Sequence, residues 1–139
     1  MSRVDLSARS PGRREARERA IELAYEANQR QLSVDELLKL LPMAPTPFAV
    51  DLLRAAEDHR ERADQLIAER ARGWSLDRMP VMDRLVMRLA VAELLALDTP
   101  TGVVLNEAVE LATRYSTAES GRVVNGVLSA IARQVRPAR

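Results

Sequence analysis

The arginines near the N-terminus are the residues with the clearest potential for chemistry. They lie in the segment Gly12–Tyr25, which is rich in Ala, Arg and Glu and is typical of a helix. Around that helix Arg13, Arg17 and Arg14 fall at about 0°, 40° and 100°, so they share one arc. A helix N-terminus disfavours cations by about 0.3–1 kcal/mol each. Two explanations remain: a solvated face that tolerates this cost, or an anionic partner such as a phosphate group, which guanidinium groups bind through paired hydrogen bonds.

The same helical wheel separates a buried face from an exposed strip. Small and apolar residues fall between about 280° and 20° and are expected to face the core: Ala16, Ala20, Leu23, Ala24 and Ala27. Ile21 and Tyr25 fall at about 80° and about 120°, on the side of Arg14. We therefore predict an exposed apolar strip at Ile21 and Tyr25 that binds a protein, either a different partner or a second copy of this chain in a homodimer.

Residues with catalytic or metal-binding chemistry are scarce. The chain has no cysteine, and its one histidine, His59, lies among charged residues typical of a solvated face. The carboxylates are spaced near arginines in the way that surface ion pairs are. The sequence contains no glycine-rich phosphate loop, nucleophile elbow or metal-ligand spacing. It thus indicates a protein that is not an enzyme and has no metal and no cofactor.

The composition favours one helical domain in the cytoplasm. Hydrophobic residues make up 47% of the 139, but very few are aromatic, so Leu, Val, Ala and Met must build the core. These residues favour helices over strands. Residues 1–12 lack the apolar segment of a secretory signal. The apolar run Leu85–Leu97 contains Arg88 and Glu93 and is too short to span a bilayer. We expect a cytoplasmic protein without membrane contact.

Proline, glycine and capping residues divide the chain into helices. The fold class is all-α, with six or seven helices in a single domain over residues 10–135. A flexible basic arm at residues 1–9 and a disordered tail at residues 136–139 are expected on either side. Both ends are basic and the centre is acidic, so a basic patch forms if the ends meet. The predicted helices cover approximately residues 10–30, 34–41, 48–72, 80–97, 103–115 and 122–135.

The last helix contains two further features. Gly126 lies in its interior, where glycine costs about 1 kcal/mol relative to alanine, so we expect it to let another helix come close. The polar loop Ser116–Gly121 precedes the helix, and Arg122 opens it. Free backbone N–H groups at this point could receive an anion.

Five segments, taken together and in order, carry a resemblance to a known family. They are Ala16–Tyr25, Gly73–Arg78, Asp83–Leu94, Val104–Ala112 and Val123–Leu128. The ordered set resembles the NusB family of transcription antitermination factors across about residues 13–131. The resemblance implies an all-helical fold of two packed helical subdomains. It also implies a non-enzymatic factor that binds the boxA element of nascent RNA together with NusE, a small-subunit ribosomal protein. That complex helps RNA polymerase read through terminators, notably in ribosomal RNA operons.

The resemblance also implies roles for individual residues. The arginine motif of the family is an RNA contact and falls on Arg13, Arg14 and Arg17. The loop before the last helix approaches RNA, which points to Glu119 and Arg122. Tyr25 and the acidic residue Asp83 lie toward NusE, and the apolar strip adds Ile21 to this protein-binding set.

The sequence leaves two other interpretations of the function open. The first is a protein–protein adaptor in which the acidic centre and the apolar strip bind and the arginines are solvated. The second is a relative of the helical domain at the front of RNA cytosine methyltransferases. We expect no methyl transfer itself, because 139 residues leave no room for a cofactor-binding catalytic domain.

Overall fold

The computed structural model describes residues 11–71 and 75–137, which form seven α-helices and one short 3-10 turn. The predicted arm at residues 1–9 and the last two residues of the predicted tail lie outside the described residues. The all-α prediction is confirmed, since no strand occurs in the described part of the chain. The helices are α1 (Pro11–Arg30), α2 (Val34–Leu40), α3 (Pro47–Asp58), α4 (Arg60–Arg70), α5 (Val81–Ala96), α6 (Thr101–Tyr115) and α7 (Ala118–Val135), with the 3-10 turn Leu76–Arg78 before α5.

Helix α5 is the centre of the fold. It packs against α1 and α3 and also against α4, α6 and α7, so both groups of helices meet at α5. Ten of its sixteen residues are buried. Its nearly continuous apolar sequence explains this position, because a helix that is apolar on all faces is stable only when it is surrounded.

Helix α1 has a wider buried face than the sequence predicted. It packs against both α3 and α5, and two neighbours on adjacent sides cover more of a helix than one neighbour does. Ile21 therefore has no exposed area, and the prediction of an exposed strip at this residue is wrong. Arg17 is buried as well, with 4% of its surface exposed, whereas Tyr25 remains 40% exposed.

The long helix expected over residues 48–72 is two helices. The backbone leaves helical geometry at His59, where φ is −106° and ψ is 17°, and this residue ends α3 and precedes α4. Both helices pack against α5, but α3 also packs against α1 and α4 also packs against α7. The break at His59 separates the part that contacts α1 from the part that contacts α7.

Helix α7 begins earlier than predicted. Ala118 to Gly121 were expected in a loop, but Thr117 caps the helix by accepting a hydrogen bond from the backbone N–H of Ser120 at 3.0 Å. Capping by threonine satisfies one of the free N–H groups of the first turn. The helix consequently starts at Ala118, and Glu119 and Arg122 both lie in its first two turns.

Close approach between α6 and α7 depends on Gly121 rather than on Gly126. A Cβ atom at Gly121 would overlap Thr113 Oγ1 on α6 and would lie 3.5 Å from Val109 Cγ1. A Cβ atom at Gly126 would meet nothing within 4 Å, and Gly126 is exposed. The prediction that Gly126 lets another helix come close is therefore wrong.

These two glycines form a matched pair for a stability test. We expect Gly126→Ala to raise the free energy of unfolding by up to about 1 kcal/mol, the difference in helix propensity. We expect Gly121→Ala to lower it by about 1 kcal/mol, because overlap with Thr113 outweighs that gain. Urea denaturation of both variants measures the difference. In a Thr113→Ala background Gly121→Ala should become stabilising, and equal effects of the two glycine replacements would contradict the assignment.

The structure also differs from the predicted tail at Arg136. The guanidinium of Arg136 donates hydrogen bonds to carbonyl oxygens at the end of α5, at 2.9 Å for Leu94 and 2.7 Å for Leu97. It further bonds the carbonyl of Thr99 and the hydroxyl of Thr101 at the start of α6. Arg136 thus belongs to the folded domain, where it satisfies carbonyl groups that the end of a helix leaves without partners.

Candidate nucleic-acid interface

The first turns of α1 and α3 lie side by side, with two arginines against one aromatic ring. The guanidinium carbon of Arg13 lies 3.8 Å from the ring centroid of Phe48, and that of Arg17 lies 5.0 Å from it. Both distances suit cation–π attraction. Because α3 begins at Pro47, the ring occupies the first turn of α3, level with the start of α1.

Arg17 forms an ion pair inside the protein. Its Nη2 atom lies 2.6 Å from Oε2 of Glu93 on α5, its Nε atom lies 3.4 Å from Oε1, and each side chain is only 4% exposed. Apolar side chains surround the pair, and a cavity of about 20 Å³ adjoins it, lined in part by Leu52, Val86 and Leu89. Arg17, predicted to contact RNA, therefore points into the core.

Arg14 is paired but still accessible. Its Nη2 and Nε atoms donate to the two carboxylate oxygens of Glu107 on α6 at 3.0 and 3.2 Å. The side chain of Arg14 is nevertheless 52% exposed. The hydrogen bond and charge of Glu107, with the charge of Glu110, raise the pKa of Arg14 above its usual value. Arg14 keeps a charged, solvent-facing guanidinium held in one place.

A polar seam continues from this pair along α1 and α6. Glu18 forms an ion pair with Arg114, and the Tyr115 hydroxyl donates a hydrogen bond to Glu22 at 3.0 Å. From the Arg14–Glu107 pair to the Glu22–Tyr115 pair the residue numbers increase on both helices, so α1 and α6 run parallel. Partial burial and the bond to Glu22 raise the pKa of Tyr115 above its usual value. A groove of about 270 Å³ follows this seam.

These contacts explain how α1 tolerates arginines at its N-terminus. Carboxylates of Glu93 and Glu107 reach across from α5 and α6 to Arg17 and Arg14. Each arginine therefore has an internal anion that compensates for the unfavourable helix dipole. The internal carboxylates thus account for the placement of Arg14 and Arg17 near the helix N-terminus without an external anion.

Sequence reasoning did not identify Glu93, Glu107 or Phe48 as parts of this site. The available signal was a carboxylate within an apolar helical run, as at Glu93 between Ala92 and Leu94. A charge at such a position is expected to be buried and paired. The sequence could not say with which arginine.

The predicted protein-binding residues separate into exposed and buried ones. Tyr25 is exposed on α1, about 16 Å along the helix axis from Arg14 at 1.5 Å per residue. Asp83 is completely buried, and its Oδ2 atom accepts a hydrogen bond from the Ser120 hydroxyl at 2.8 Å. Its Oδ1 atom has no hydrogen-bond partner within the described residues. Asp83 thus ties the start of α5 to the start of α7 and does not form part of the surface.

The two remaining predicted RNA contacts lie apart from the arginines of α1. Glu119 and Arg122 are exposed at the start of α7, beside the C-terminal end of α6. Arg14 lies beside Glu107, near the middle of α6. The rise from Glu107 to the end of α6 at Tyr115 is about 12 Å at 1.5 Å per residue.

Other features of the described residues do not compete with this surface. A second groove, of about 670 Å³, lies between α1, α2, α3 and α5, and two of its charged side chains are paired within the protein. Arg88 pairs with Asp64 at 2.6 Å, and Glu57 accepts the backbone N–H of Val34 at 2.9 Å. No cluster of three or more His, Cys, Asp or Glu suited to a metal ion occurs in residues 11–71 and 75–137. Within the same ranges no helix is long and apolar enough to cross a membrane.

Comparison with known proteins identifies a family. A family model described as the NusB family matches residues 14–133 of the chain. A transcription antitermination protein NusB of Thermobifida fusca is 44% identical over 128 residues, which cover 88% of this chain and 90% of that protein.

Solved structures show the same similarity in three dimensions. T. maritima NusB superposes with a TM-score of 0.77 and 32% identity, covering 90% of this chain and 92% of that one. A chain from a crystal structure described as that of a plectonemic RNA supercoil superposes with a TM-score of 0.80 and 31% identity, covering 94% of this chain and 100% of that one.

Proposed function

Because this chain belongs to the NusB family of transcription antitermination factors, we propose that it binds boxA-type RNA together with NusE, a small-subunit ribosomal protein. In this role the complex would help RNA polymerase read through terminators, notably in ribosomal RNA operons. The RNA would contact the surface formed by Arg13 and Arg14.

The observation that carries the proposal is the exposed guanidinium of Arg14 beside Arg13 on the first turns of α1. Arginine binds phosphate through two parallel hydrogen bonds, and the positive end of a helix dipole adds to the attraction. The pair with Glu107 holds the Arg14 side chain in place and leaves half of its surface open to solvent. Similarity to a chain from an RNA-containing crystal structure supports the same partner.

Two further surfaces complete the proposal. Arg122, with Glu119 beside it, would provide a second RNA contact at the start of α7. Tyr25 would contact NusE, since it is one of the few large side chains of the described residues that expose an aromatic or aliphatic surface. Its separation of about 16 Å from Arg14 along α1 allows both partners to bind at once.

Fluorescence anisotropy of a labelled boxA-type RNA tests this function, with a scrambled RNA as reference and with NusE present or absent. We expect tighter binding to the boxA-type RNA and a further gain with NusE that Tyr25→Ala removes. We expect Arg13→Ala/Arg14→Ala to weaken binding about tenfold and to reduce the slope of log affinity against log salt by about 1.4, or about 0.7 per lost phosphate contact.

The matched control is Arg60→Ala/Arg62→Ala, which removes the same charge from the exposed face of α4. Equal weakening by the two double variants would indicate non-specific attraction to RNA. Equal binding of the two RNAs, unchanged in both variants, would favour the adaptor interpretation over RNA recognition.

A further inference from the structure

We propose that Arg17 is a positioning residue for the RNA interface: with Glu93 and Phe48 it fixes the guanidinium of Arg13, and it does not itself contact RNA. This inference rests on the proposed RNA-binding function. It gives Arg17 a different role from Arg13 and Arg14, with which it shares the arginine motif.

The contacts of Arg17 leave little room for a phosphate. Two of its nitrogen atoms are engaged by the two carboxylate oxygens of Glu93, and only 4% of the residue is exposed. The guanidinium also lies 5.0 Å from the centroid of Phe48. Direct contact with RNA would require the buried pair to separate and would leave the Glu93 carboxylate without its charge partner among apolar side chains.

The same contacts link Arg17 to Arg13. Glu93 on α5 holds Arg17 on α1, Arg17 lies against Phe48 on α3, and the guanidinium of Arg13 lies 3.8 Å from the same ring centroid. The rotation of α1 relative to α3 and α5 is therefore fixed at the turn that carries Arg13. Pre-ordering a long side chain in this way removes part of the entropy that binding would otherwise cost.

Glu93→Gln gives the sharpest test, because the two roles predict opposite signs. If Arg17 positions Arg13, this variant should bind boxA-type RNA about tenfold more weakly although it has lost a negative charge. If Arg17 contacts RNA, removing its internal competitor should tighten binding. Affinities are measured by anisotropy at a low temperature where circular dichroism shows every variant to be folded.

Arg17→Gln and Phe48→Leu complete the set. For positioning, Arg17→Gln should weaken binding about tenfold without changing the salt slope, whereas loss of a phosphate contact would reduce the slope by about 0.7. Phe48→Leu carries no charge change and should also weaken binding. Because Phe48→Leu leaves both members of the Arg17–Glu93 ion pair in place, it still tests the inference if a variant of that pair does not fold.

The possible results distinguish a failure of this inference from a failure of the proposed RNA-binding function. A wild-type protein that does not prefer boxA-type RNA over the scrambled RNA overturns the proposed function itself. Selective wild-type binding with tighter binding by Glu93→Gln leaves that function standing and overturns positioning. Unchanged affinity of all three variants in the folded state would limit Arg17 to stability and would likewise overturn positioning.

Discussion

Arg17→Met will lower the free energy of unfolding by about 3–5 kcal/mol, because it leaves the Glu93 carboxylate buried without a charge partner. Glu93 lies on the central helix and is only 4% exposed in its side chain, so bulk water has little access to its carboxylate when the guanidinium is lost. The expected loss is a large part of the 5–15 kcal/mol that keeps a typical domain folded. Urea denaturation followed by circular dichroism measures it.

The double variant Arg17→Met/Glu93→Leu should recover most of this loss. Replacing both members of a buried pair with apolar side chains removes the desolvation cost together with the attraction, and the net effect is often neutral or stabilising. A double variant no more stable than Arg17→Met would mean that the pair is not the source of the effect. Arg30→Met is the matched control, since Arg30 lies on the same helix but pairs with Glu26 on the surface. Its loss should stay below about 1 kcal/mol.

Arg136→Ala will lower the free energy of unfolding by about 2–4 kcal/mol, because hydrogen bonds from a charged group contribute about 1.5–3 kcal/mol each and several are lost together, with less than additive effect. Arg136 joins the end of α7 to the end of α5 and the start of α6. Without it, the carbonyl groups of Leu94 and Leu97 lose a partner where the chain turns into α6.

Thermal unfolding of Arg136→Ala should show a midpoint lower by about 10 °C, given a shift of several degrees per kcal/mol for a domain of this size. Arg133→Ala removes the same charge from an exposed position of α7 and should leave the midpoint almost unchanged. A similar fall in both variants would assign the effect to net charge, and no fall in either would show that Arg136 does not secure the α5–α6 connection.

The sequence by itself determined the helical class, the approximate helix positions and the family. These properties follow from local information: proline at helix starts, capping residues such as Ser33, and apolar residues that include few aromatics. The nearly continuous apolar sequence of α5 agrees with its position at the centre of the fold. Family membership depended on the order of several segments, which does not require knowledge of contacts.

Only the tertiary structure decided which arginine faces solvent. Arg14 and Arg17 belong to the same predicted arc, yet one is half exposed and the other is buried. A helical wheel gives the angle of a side chain around its own axis, but not how many neighbours that helix has. Because α1 packs against both α3 and α5, the buried arc extends to Arg17 and Ile21.

The same limit explains the other differences. Gly121, Asp83 and Arg136 are defined by partners on other helices, at Thr113, Ser120 and the α5–α6 connection. Pairing between residues distant in sequence depends on how the helices pack as rigid units. Local propensity therefore determined the helices apart from the break at His59, and packing determined whether each charged residue is buried or exposed.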